Sequence, residues 1–327
     1  MQPVKNAPPT IAYATDDRYA DITAVSAYSA AKNAGKTGLQ IAVLHSGLAE
    51  SSVKKIALCA EGGGAKVKFV RVDESAFSGL PLSPWVGVQA WFRIAIADIC
   101  KDCERVLYLD CDTLVCGDIS ELYNIDLSGK YAAVVRDIWN VEKYCKRLKM
   151  KSREYFNSGV MLINCALWRK DNLREKITEY ATGRKVEYCD QDCLNKVIDE
   201  KKLMLDLKYN YLEPWWRGDY HDYNGAWKKS FNEAKAAPKI IHFTGLKPSV
   251  KGCGHSYAEL WRKYAFESPI GASLREKYEA SAAPKIKKTP LLKKLFFSGN
   301  VYKDGKKTKV LRLFGLEFKR LVDDCNK

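Results

Sequence analysis

The stretch RVLYLDCDTLVCGD, residues 105–118, places two aspartates directly after a short apolar run. Residues 106–109 are β-branched, aromatic or large aliphatic, and polar residues bound them, which predicts a strand buried inside a sheet. In an extended segment residues i and i+2 project to the same side. Asp110 and Asp112 can therefore aim both carboxylates at one point, while Cys111 faces away.

Two ionised carboxylates held that close repel each other, and the arrangement costs free energy unless a proton or a cation compensates. A divalent metal with oxygen ligands is the natural compensator. The other interpretation is a pair of solvated turn acids, because aspartate is common where strands end. The pattern alone leaves both interpretations open, so the surrounding sequence has to decide between them.

The composition is that of an ordinary globular protein, with 46% hydrophobic and 11% aromatic residues in a chain of 327. No apolar run approaches the roughly 18 residues that indicate a membrane-spanning helix. The N-terminal stretch lacks the pattern of a signal peptide, so we expect a cytoplasmic protein. The 11 cysteines are scattered. We interpret them as reduced thiols, and the single Cys-x-x-Cys of Cys100 and Cys103 as structural.

The net charge of +15 is concentrated near the C-terminus, where residues 284–327 contain 13 Lys or Arg and 4 Asp or Glu. Leucines and phenylalanines interleave with these bases. Apolar anchors beside basic residues are typical of segments that bind anionic membrane surfaces. There are two alternatives to membrane binding: the tail is solvated and packs on the body of the protein, or it binds nucleic acid. We predict membrane association and no nucleic-acid partner, because charge is nearly balanced in the rest of the chain.

Strands and helices alternate along the chain, which predicts an α/β fold with a mostly parallel sheet. We predict strands at 11–14, 39–44, 66–72, 106–109, 131–135, 159–163 and 239–243, and helices at 19–34, 51–60, 91–99, 170–180, 191–200 and 256–265. The run Gly62-Gly63-Gly64 lacks the residues of a phosphate-binding loop and is interpreted as a turn. Ligands of such sheets bind at the carboxyl ends of the strands, where Asp16 and Asp110 both lie.

Seven separated stretches together resemble glycosyltransferase family 8, which includes bacterial lipopolysaccharide galactosyl- and glucosyltransferases. In order they are ATDDRY (14–19), GGG (62–64), FRIAIADI (92–99), RVLYLDCDTLV (105–115), YFNSGVMLINCALWR (155–169), CDQDCLN (189–195) and IIHFTGLKP (240–248). The resemblance implies a GT-A type nucleotide-sugar-binding fold, a UDP-sugar donor, a divalent metal, and transfer with retention of anomeric configuration.

The resemblance also implies the metal ligands. Asp110 and Asp112 would bridge the metal to the donor's diphosphate, and His242 would be the third ligand from the protein. Two carboxylates and an imidazole suit Mn²⁺, with Mg²⁺ as the alternative. This resolves the choice left open above in favour of a cation site.

The donor-binding residues are implied in the same way. Asp16 would bind the uracil, with a helix cap as its other role, and Tyr19 would stack on the base. Gly245 and Lys247 would approach and neutralise the diphosphate. The full set of implied donor-binding residues is Ala14, Asp16, Tyr19, Arg93, Asn157, Gly245 and Lys247. Two positions depart from the family pattern: Arg18 replaces an asparagine, and Ser249 stands where a tryptophan is common.

The implied catalytic residues are Asp137, Asp190, Gln191 and Lys247, with Asp192 also matching a position that holds the donor sugar. Gln191 lies where the family places an amide near the anomeric carbon. An amide is a poor nucleophile, so we favour same-face displacement over a covalent intermediate of the retaining-glycosidase kind. The leaving UDP phosphate would accept the proton of the acceptor, and Lys247 would help to stabilise the developing charge.

We predict a catalytic domain at 10–268, a linker at 269–290, and a basic amphipathic tail at 291–327. The expected function is transfer of galactose or glucose from UDP-galactose or UDP-glucose to a cell-envelope glycan such as lipopolysaccharide. Partners would be a glycan or lipid-linked oligosaccharide acceptor and the inner face of the cytoplasmic membrane. The alternatives are a self-glycosylating or protein-modifying transferase, or a non-enzymatic basic protein that binds membrane or nucleic acid.

Overall fold

The computed structural model describes residues 9–33, 38–82, 87–138, 141–213, 226–281, 296–303, 306–313 and 316–321. The chain divides into two units, Met1–Ser281 and Ala282–Lys327. Among the described residues, none of the helices combines the length and the apolar character needed to cross a bilayer.

The strands of the first unit are β1 (Thr10–Ala14), β2 (Leu39–His45), β3 (Ala65–Arg71), β4 (Arg105–Leu109), β5 (Thr113–Val115), β6 (Ala132–Arg136), β7 (Phe156–Asn164), β8 (Lys202–Leu205), β9 (Tyr211–Leu212) and β10 (Ile240–His242). Its helices are α1 (Ala20–Asn33), α2 (Glu50–Gly62), α3 (Ile96–Ile99), α4 (Ser120–Tyr123), α5 (Val141–Arg147), α6 (Cys165–Lys170), α7 (Leu173–Ala181), α8 (Cys189–Val197), α9 (Ala226–Ala236), α10 (Ala258–Glu267) and α11 (Gly271–Ala280).

Seven of these strands form a sheet in the order β3-β2-β1-β4-β7-β6-β8. Neighbouring strands run parallel except for β7, which is antiparallel to both β4 and β6. The sheet is therefore mostly parallel, as predicted. The carboxyl ends of β1, β4 and β6 and the first residues of β7 all lie at one edge.

Strand β4 is buried on both faces, which explains its apolar sequence. Leu107 and Leu109 belong to one core cluster, which also contains residues of α1, α2 and α10. Val106 and Tyr108 belong to the other, which contains residues of α6, α7 and α8. Each fully buried side chain of this size stabilises the fold by about 1.5–3 kcal/mol. The strand that carries Asp110 is thus fixed from both sides.

A second, three-stranded sheet has the order β5-β10-β9. Strand β5 follows the aspartate pair directly, and β10 lies antiparallel to it with His242 opposite Thr113. The amide of Phe243 donates to the carbonyl of Asp112 at 2.8 Å. This pairing brings His242 beside the aspartates despite their distance in the sequence.

Strand β7 contains an irregularity that shapes the sheet edge. Val134 pairs with Met161, but the next residue of β6, Val135, pairs with Asn157. Residues 158–160 therefore have no partner on β6 and bulge from the ladder. The amide of Asp110 donates to the carbonyl of Gly159 at 2.8 Å. Bulges are frequent beside active sites because they redirect side chains.

Two predicted helices differ from those observed. Residues 91–99 form a 3-10 helix, Val88–Ala95, followed by the single turn of α3. Ala90 to Ile96 are all buried, so tertiary packing determines this conformation more than local propensity does. Residues 170–180 belong to two helices, α6 and α7, which are separated at Asn172 by a left-handed backbone (φ 51°).

The predicted linker at 269–290 begins too early, because residues 271–280 form α11, which packs on α10. Between the predicted helix at 191–200 and the predicted strand at 239–243, the structure also contains β8, β9 and α9, and residues 214–225 lie outside the described part of the chain. The catalytic domain at 10–268 remains a prediction, although the division after Ser281 is compatible with it.

The second unit contains three antiparallel strands, β11 (Phe296–Lys303), β12 (Lys306–Leu313) and β13 (Leu316–Leu321), in that order. In the backbone register Leu313 pairs with both Phe296 and Leu316, and Leu311 pairs with Phe318. The described part of the predicted tail is therefore a small sheet.

The predicted turn in the glycine run at 62–64 consists of Gly63 and Gly64, while Gly62 is the last residue of α2. Gly63 caps α2, and a Cβ added there would lie 2.5 Å from the Cβ of Ala31 and 3.0 Å from the carbonyl of Tyr28, both in α1. Gly64 has a left-handed backbone (φ 99°). The run thus ends α2 and lets it approach α1 closely.

We predict that Gly63→Ala lowers the free energy of unfolding by about 1–3 kcal/mol, as overpacking typically does. Gly47→Ala is the control, because a Cβ at Gly47 meets nothing within 4 Å. Chemical denaturation of both variants measures the difference. Equal stability of the two would contradict the close approach of α1 and α2.

Candidate active site

The candidate site lies at the sheet edge where β1, β4 and β6 end and β7 begins. Asp16 follows β1, Asp110 follows β4, Asp137 follows β6, and Asn157 is the second residue of β7. The topology thus brings together side chains from distant parts of the sequence, and it confirms that Asp16 and Asp110 lie at the carboxyl ends of neighbouring parallel strands.

Asp110, Asp112 and His242 form a group that could hold a metal ion, since one ligand atom from each lies within 4.8 Å of the others. Nε2 of His242 is 3.1 Å from Oδ1 of Asp112 and 3.7 Å from Oδ2 of Asp110. The two carboxylates and the imidazole converge on one small volume. This donor set fits a hard or borderline divalent cation.

Gly159 makes this convergence possible. A Cβ at this position would lie 2.2 Å from Cε1 of His242 and 2.7 Å from Oδ2 of Asp110. Such distances are far inside van der Waals contact, so only glycine lets the imidazole and the carboxylate approach each other across the bulge of β7.

Lys247 supplies a positive charge beside the aspartates. Its ammonium forms an ion pair with Asp112 and donates to the carbonyl of Phe243 at 2.9 Å. Burial alone would raise the pKa of Asp112, but the charges of Lys247 and His242 outweigh it and hold that pKa well below its usual range. Burial lowers the pKa of Lys247, and Asp112 more than reverses this. Both groups are therefore ionised at neutral pH.

Arg93 joins the two acidic parts of the site. It is 5% exposed, and it contacts Oδ1 of Asp110 at 3.0 Å and Oδ2 of Asp190 at 3.1 Å. Its Nη1 donates to the carbonyl and the hydroxyl of Ser158 at 2.6 and 2.8 Å. Burial disfavours the charged guanidinium, but Asp110 and Asp190 outweigh that effect and raise its pKa. The structure thus shows Arg93 organising carboxylates of the site.

Gln191 is anchored at both ends of its amide. Oε1 accepts from the backbone amide of Ser158 at 3.0 Å, and Nε2 donates to Asp137 at 3.0 Å and to the hydroxyl of Tyr155 at 3.2 Å. The neighbouring Asp190 is buried, and burial raises its pKa to about 6. The residue before it, Cys189, has a positive φ of 36°, which is unusual for a non-glycine residue.

Asp192 has a structural role, contrary to the sequence prediction. It is fully buried, and Arg147 donates to its two oxygens at 2.7 and 2.8 Å. The hydroxyl of Tyr155 and the amides of Glu187 and Tyr188 donate to it as well. The carboxylate is therefore saturated by groups of the protein, and it holds the start of α8.

A cavity of about 310 Å³ extends from the aspartates towards β1. Six of the predicted site residues line it: Ala14, Asp16, Tyr19, Arg93, Asp110 and Asp112. Asp16 accepts from the amide of Tyr19 at 3.1 Å, as a helix cap does, and from Nε of Arg18 at 2.8 Å. The ring of Tyr19 lies 5.9 Å from the Lys247 ammonium. Gly245 has the positive φ, 80°, that glycine tolerates best.

Several residues of the site were missed in the sequence. Tyr108 donates its hydroxyl to Asp110 at 2.7 Å, and the i, i+2 spacing on one strand could have indicated this. Ser158 and Gly159 lie inside a motif that was recognised, but the β7 bulge that gives them their contacts has no sequence signature. Asn210, which contacts both Asn157 and His242, lies in a segment with no recognised motif.

The chain is similar in sequence and in fold to several known proteins. A sequence model of glycosyl transferase family 8 matches residues 10–248. General stress protein A of Bacillus subtilis is 28% identical over 233 residues, which is 69% of this chain and 82% of that protein. The lipopolysaccharide 1,2-glucosyltransferase of Escherichia coli K12 is 29% identical over 256 residues, 74% of this chain and 75% of that protein.

Among solved structures, the galactosyltransferase LgtC in complex with donor and acceptor sugar analogues matches with a TM-score of 0.71 at 26% identity. The match covers 82% of this chain and 99% of that chain. The predicted GT-A fold with its mostly parallel sheet is thereby confirmed.

We predict that Gly159→Ala weakens Mn²⁺ binding by about 10–100-fold, the range seen when the support of a metal ligand is disturbed. The added methyl group would separate His242 from Asp110. Mn²⁺ affinity is measured by electron paramagnetic resonance of the free ion, with Gly47→Ala as the control. Unchanged affinity in a folded Gly159→Ala protein would show that the three side chains do not bind the metal together.

Proposed function

This chain belongs to glycosyl transferase family 8, and we propose that it is a metal-dependent, retaining transferase. It would move galactose or glucose from UDP-galactose or UDP-glucose to a cell-envelope glycan such as lipopolysaccharide. The observation that carries this proposal is the convergence of Asp110, Asp112 and His242 at the end of a cavity lined by Asp16 and Tyr19.

The proposed metal is Mn²⁺, with Mg²⁺ as the alternative, because two carboxylates and one imidazole are mostly hard ligands. When bound, the metal supplies Lewis-acid polarisation of the donor's diphosphate. Asp110 and Asp112 would hold it through carboxylate oxygens and His242 through Nε2. The ammonium of Lys247 helps to hold the pKa of Asp112 well below its usual range, and the guanidinium of Arg93 pairs with Asp110.

The nucleotide would occupy the cavity between the metal ligands and β1. Tyr19 would stack on the uracil, Asp16 and the backbone of Ala14 would contact its polar edge, and Gly245 would let backbone approach the phosphates. Lys247 lies between Asp112 and the Tyr19 ring, anchored on the carbonyl of Phe243. A fixed ammonium there would stabilise the negative charge that develops on the leaving UDP.

The sugar would lie on the side of the site formed by Arg93, Asp137, Asn157, Asp190 and Gln191. Because Ser158 and Asp137 hold the Gln191 amide at both ends, its oxygen has a fixed direction from which it can stabilise an oxocarbenium-like centre. Asp190 is buried and paired with Arg93, which makes it a poor nucleophile. Both observations favour same-face displacement over double displacement.

The acceptor is proposed to be a glycan, on the strength of the relative named as a lipopolysaccharide 1,2-glucosyltransferase. A self-glycosylating or protein-modifying transferase is the second candidate within the same enzyme class. We place the enzyme in the cytoplasm, at the inner face of the cytoplasmic membrane. The C-terminal unit, with its 13 basic residues after position 283, would bind anionic lipid there.

We expect UDP release from UDP-galactose or UDP-glucose in the presence of Mn²⁺ and none after chelation. Asp112→Asn should lower the rate by about 10²-fold or more, as loss of a positioned electrostatic group does. Asp118→Asn is the matched control, because Asp118 is exposed and caps only the local turn at Ser120. A panel of UDP-sugars, with mass spectrometry of the products, identifies the donor and the acceptor. Full activity in chelator would overturn the metal assignment.

Deletion of residues 285–327 should release the enzyme from anionic liposomes and leave UDP-sugar hydrolysis intact, since every proposed donor-site residue precedes the deletion. Each basic residue near the surface contributes up to about 1 kcal/mol of attraction to anionic lipid. Sedimentation with anionic and with neutral vesicles measures binding. If the truncated protein still sediments with anionic vesicles, or loses hydrolysis as well, the C-terminal unit is not an independent membrane-binding segment.

A further inference from the structure

A continuous chain of hydrogen bonds runs from the β7 bulge to the imidazole of His242. The amide of Gly159 donates to Oδ1 of Asn157 at 3.0 Å. The same oxygen accepts from Nδ2 of Asn210 at 2.9 Å. Oδ1 of Asn210 lies 3.1 Å from Nδ1 of His242. Asn210 is 1% exposed and lies between a 3-10 turn and β9, which pairs with β10 beside His242.

The first link of this chain determines the orientation of all the others. A backbone amide can only donate, so the Asn157 atom that faces it is the oxygen. Because that oxygen can only accept, Asn210 must present its NH₂ group to it. The carbonyl oxygen of Asn210 is therefore the atom that faces His242. An oxygen can only accept, so Nδ1 of His242 must carry a proton.

We propose that Asn210 is a positioning residue that holds His242 in the Nδ1-protonated form, so that Nε2 is the nitrogen available to a cation. With the proton held on Nδ1 by Asn210, Nε2 carries the free lone pair of the neutral imidazole. Nε2 is also the nitrogen that faces Asp112 and Asp110, at 3.1 and 3.7 Å. This inference rests on the proposed role of His242 as a metal ligand.

The imidazole of His242 has little room to rotate out of this arrangement. His242 is 3% exposed, and Gly159 packs against the edge of the ring that holds Cε1 and Nδ1. The backbone amide that begins the series of hydrogen bonds belongs to the same Gly159. The bulge in β7 therefore both makes room for the imidazole and, through two asparagines, selects its tautomer. Partners of this kind are what orient metal-binding histidines and fix their tautomers in proteins.

Asn210→Leu and Asn210→Asp provide a matched test: leucine and aspartate have similar size and both lose the donor to Asn157, but only aspartate can accept from Nδ1. In Asn210→Leu nothing holds the proton on Nδ1, and Nε2 can carry it instead and donate to Asp112. We expect the affinity for Mn²⁺ to fall by about 10–100-fold in the leucine variant and to stay within about threefold of the parent in the aspartate variant. Equal losses in both would overturn the proposal in favour of a merely structural role.

The tautomer is observed directly by ¹⁵N NMR of the imidazole nitrogens, in metal-free protein without donor, at a pH where the ring is neutral. The protein has 4 histidines, and the signal that is absent from the spectrum of His242→Gln is the one that belongs to His242. We expect the Nδ1-protonated form in the parent and its loss in Asn210→Leu. If that variant does not fold, Asn157→Ala replaces it, since Asn210 is then free to turn its amide. A retained Nδ1-protonated form in the variant tested overturns the proposal.

These readouts separate the inference from the proposed function. The NMR measurement needs neither metal nor UDP-sugar, so a parent protein with the expected tautomer that binds no Mn²⁺ refutes the metal-dependent function alone. A parent protein that binds Mn²⁺ but carries the proton on Nε2 refutes the role of Asn210 alone.

Discussion

The repulsion between the carboxylates of Asp110 and Asp112 is the constraint on which the rest of the site depends. Both belong to the end of a fully buried strand and its continuation, so neither can move far into solvent. The protein surrounds them with compensating groups: the guanidinium of Arg93 on Asp110, the ammonium of Lys247 on Asp112, and the imidazole of His242 against both. The result is a compact group of two carboxylates and one imidazole that could hold a metal ion.

The supports are elements of regular structure. Strand β4 is packed on both faces, β10 is paired to the strand that follows the aspartates, and the bulge of β7 is hydrogen-bonded to Asp110. These constraints meet at Gly159, because His242 and Asp110 occupy the space that a side chain at this position would fill. Sites held by strands rather than by loops keep their geometry more accurately. The same rigidity extends to Gln191, whose amide has no free end to rotate.

Much of this could be predicted from the sequence, and the limits have physical causes. The apolar run before Asp110 identified the buried strand, and the i, i+2 spacing identified the paired carboxylates. His242 came only from resemblance to a family, because the pairing of β10 with β5 is not encoded in any local pattern. Arg93 also came from that resemblance, whereas Asn210 and Gly159 act through contacts between segments that are distant in the sequence. Asp192 shows a different limit of motif matching. A motif that contains residues facing the site can also contain one, such as Asp192, whose side chain faces the core.

The proposed role of the aspartate pair and His242 is to bind a metal that would in turn hold the diphosphate of UDP. Measuring Mn²⁺ affinity by electron paramagnetic resonance with and without UDP, and UDP affinity by calorimetry with and without Mn²⁺, tests it most directly. We expect Mn²⁺ and UDP each to raise the affinity for the other by the same factor, about 5–150-fold for a typical coupling between bound ligands. Independent binding of Mn²⁺ and UDP, with a coupling factor near one, would contradict it.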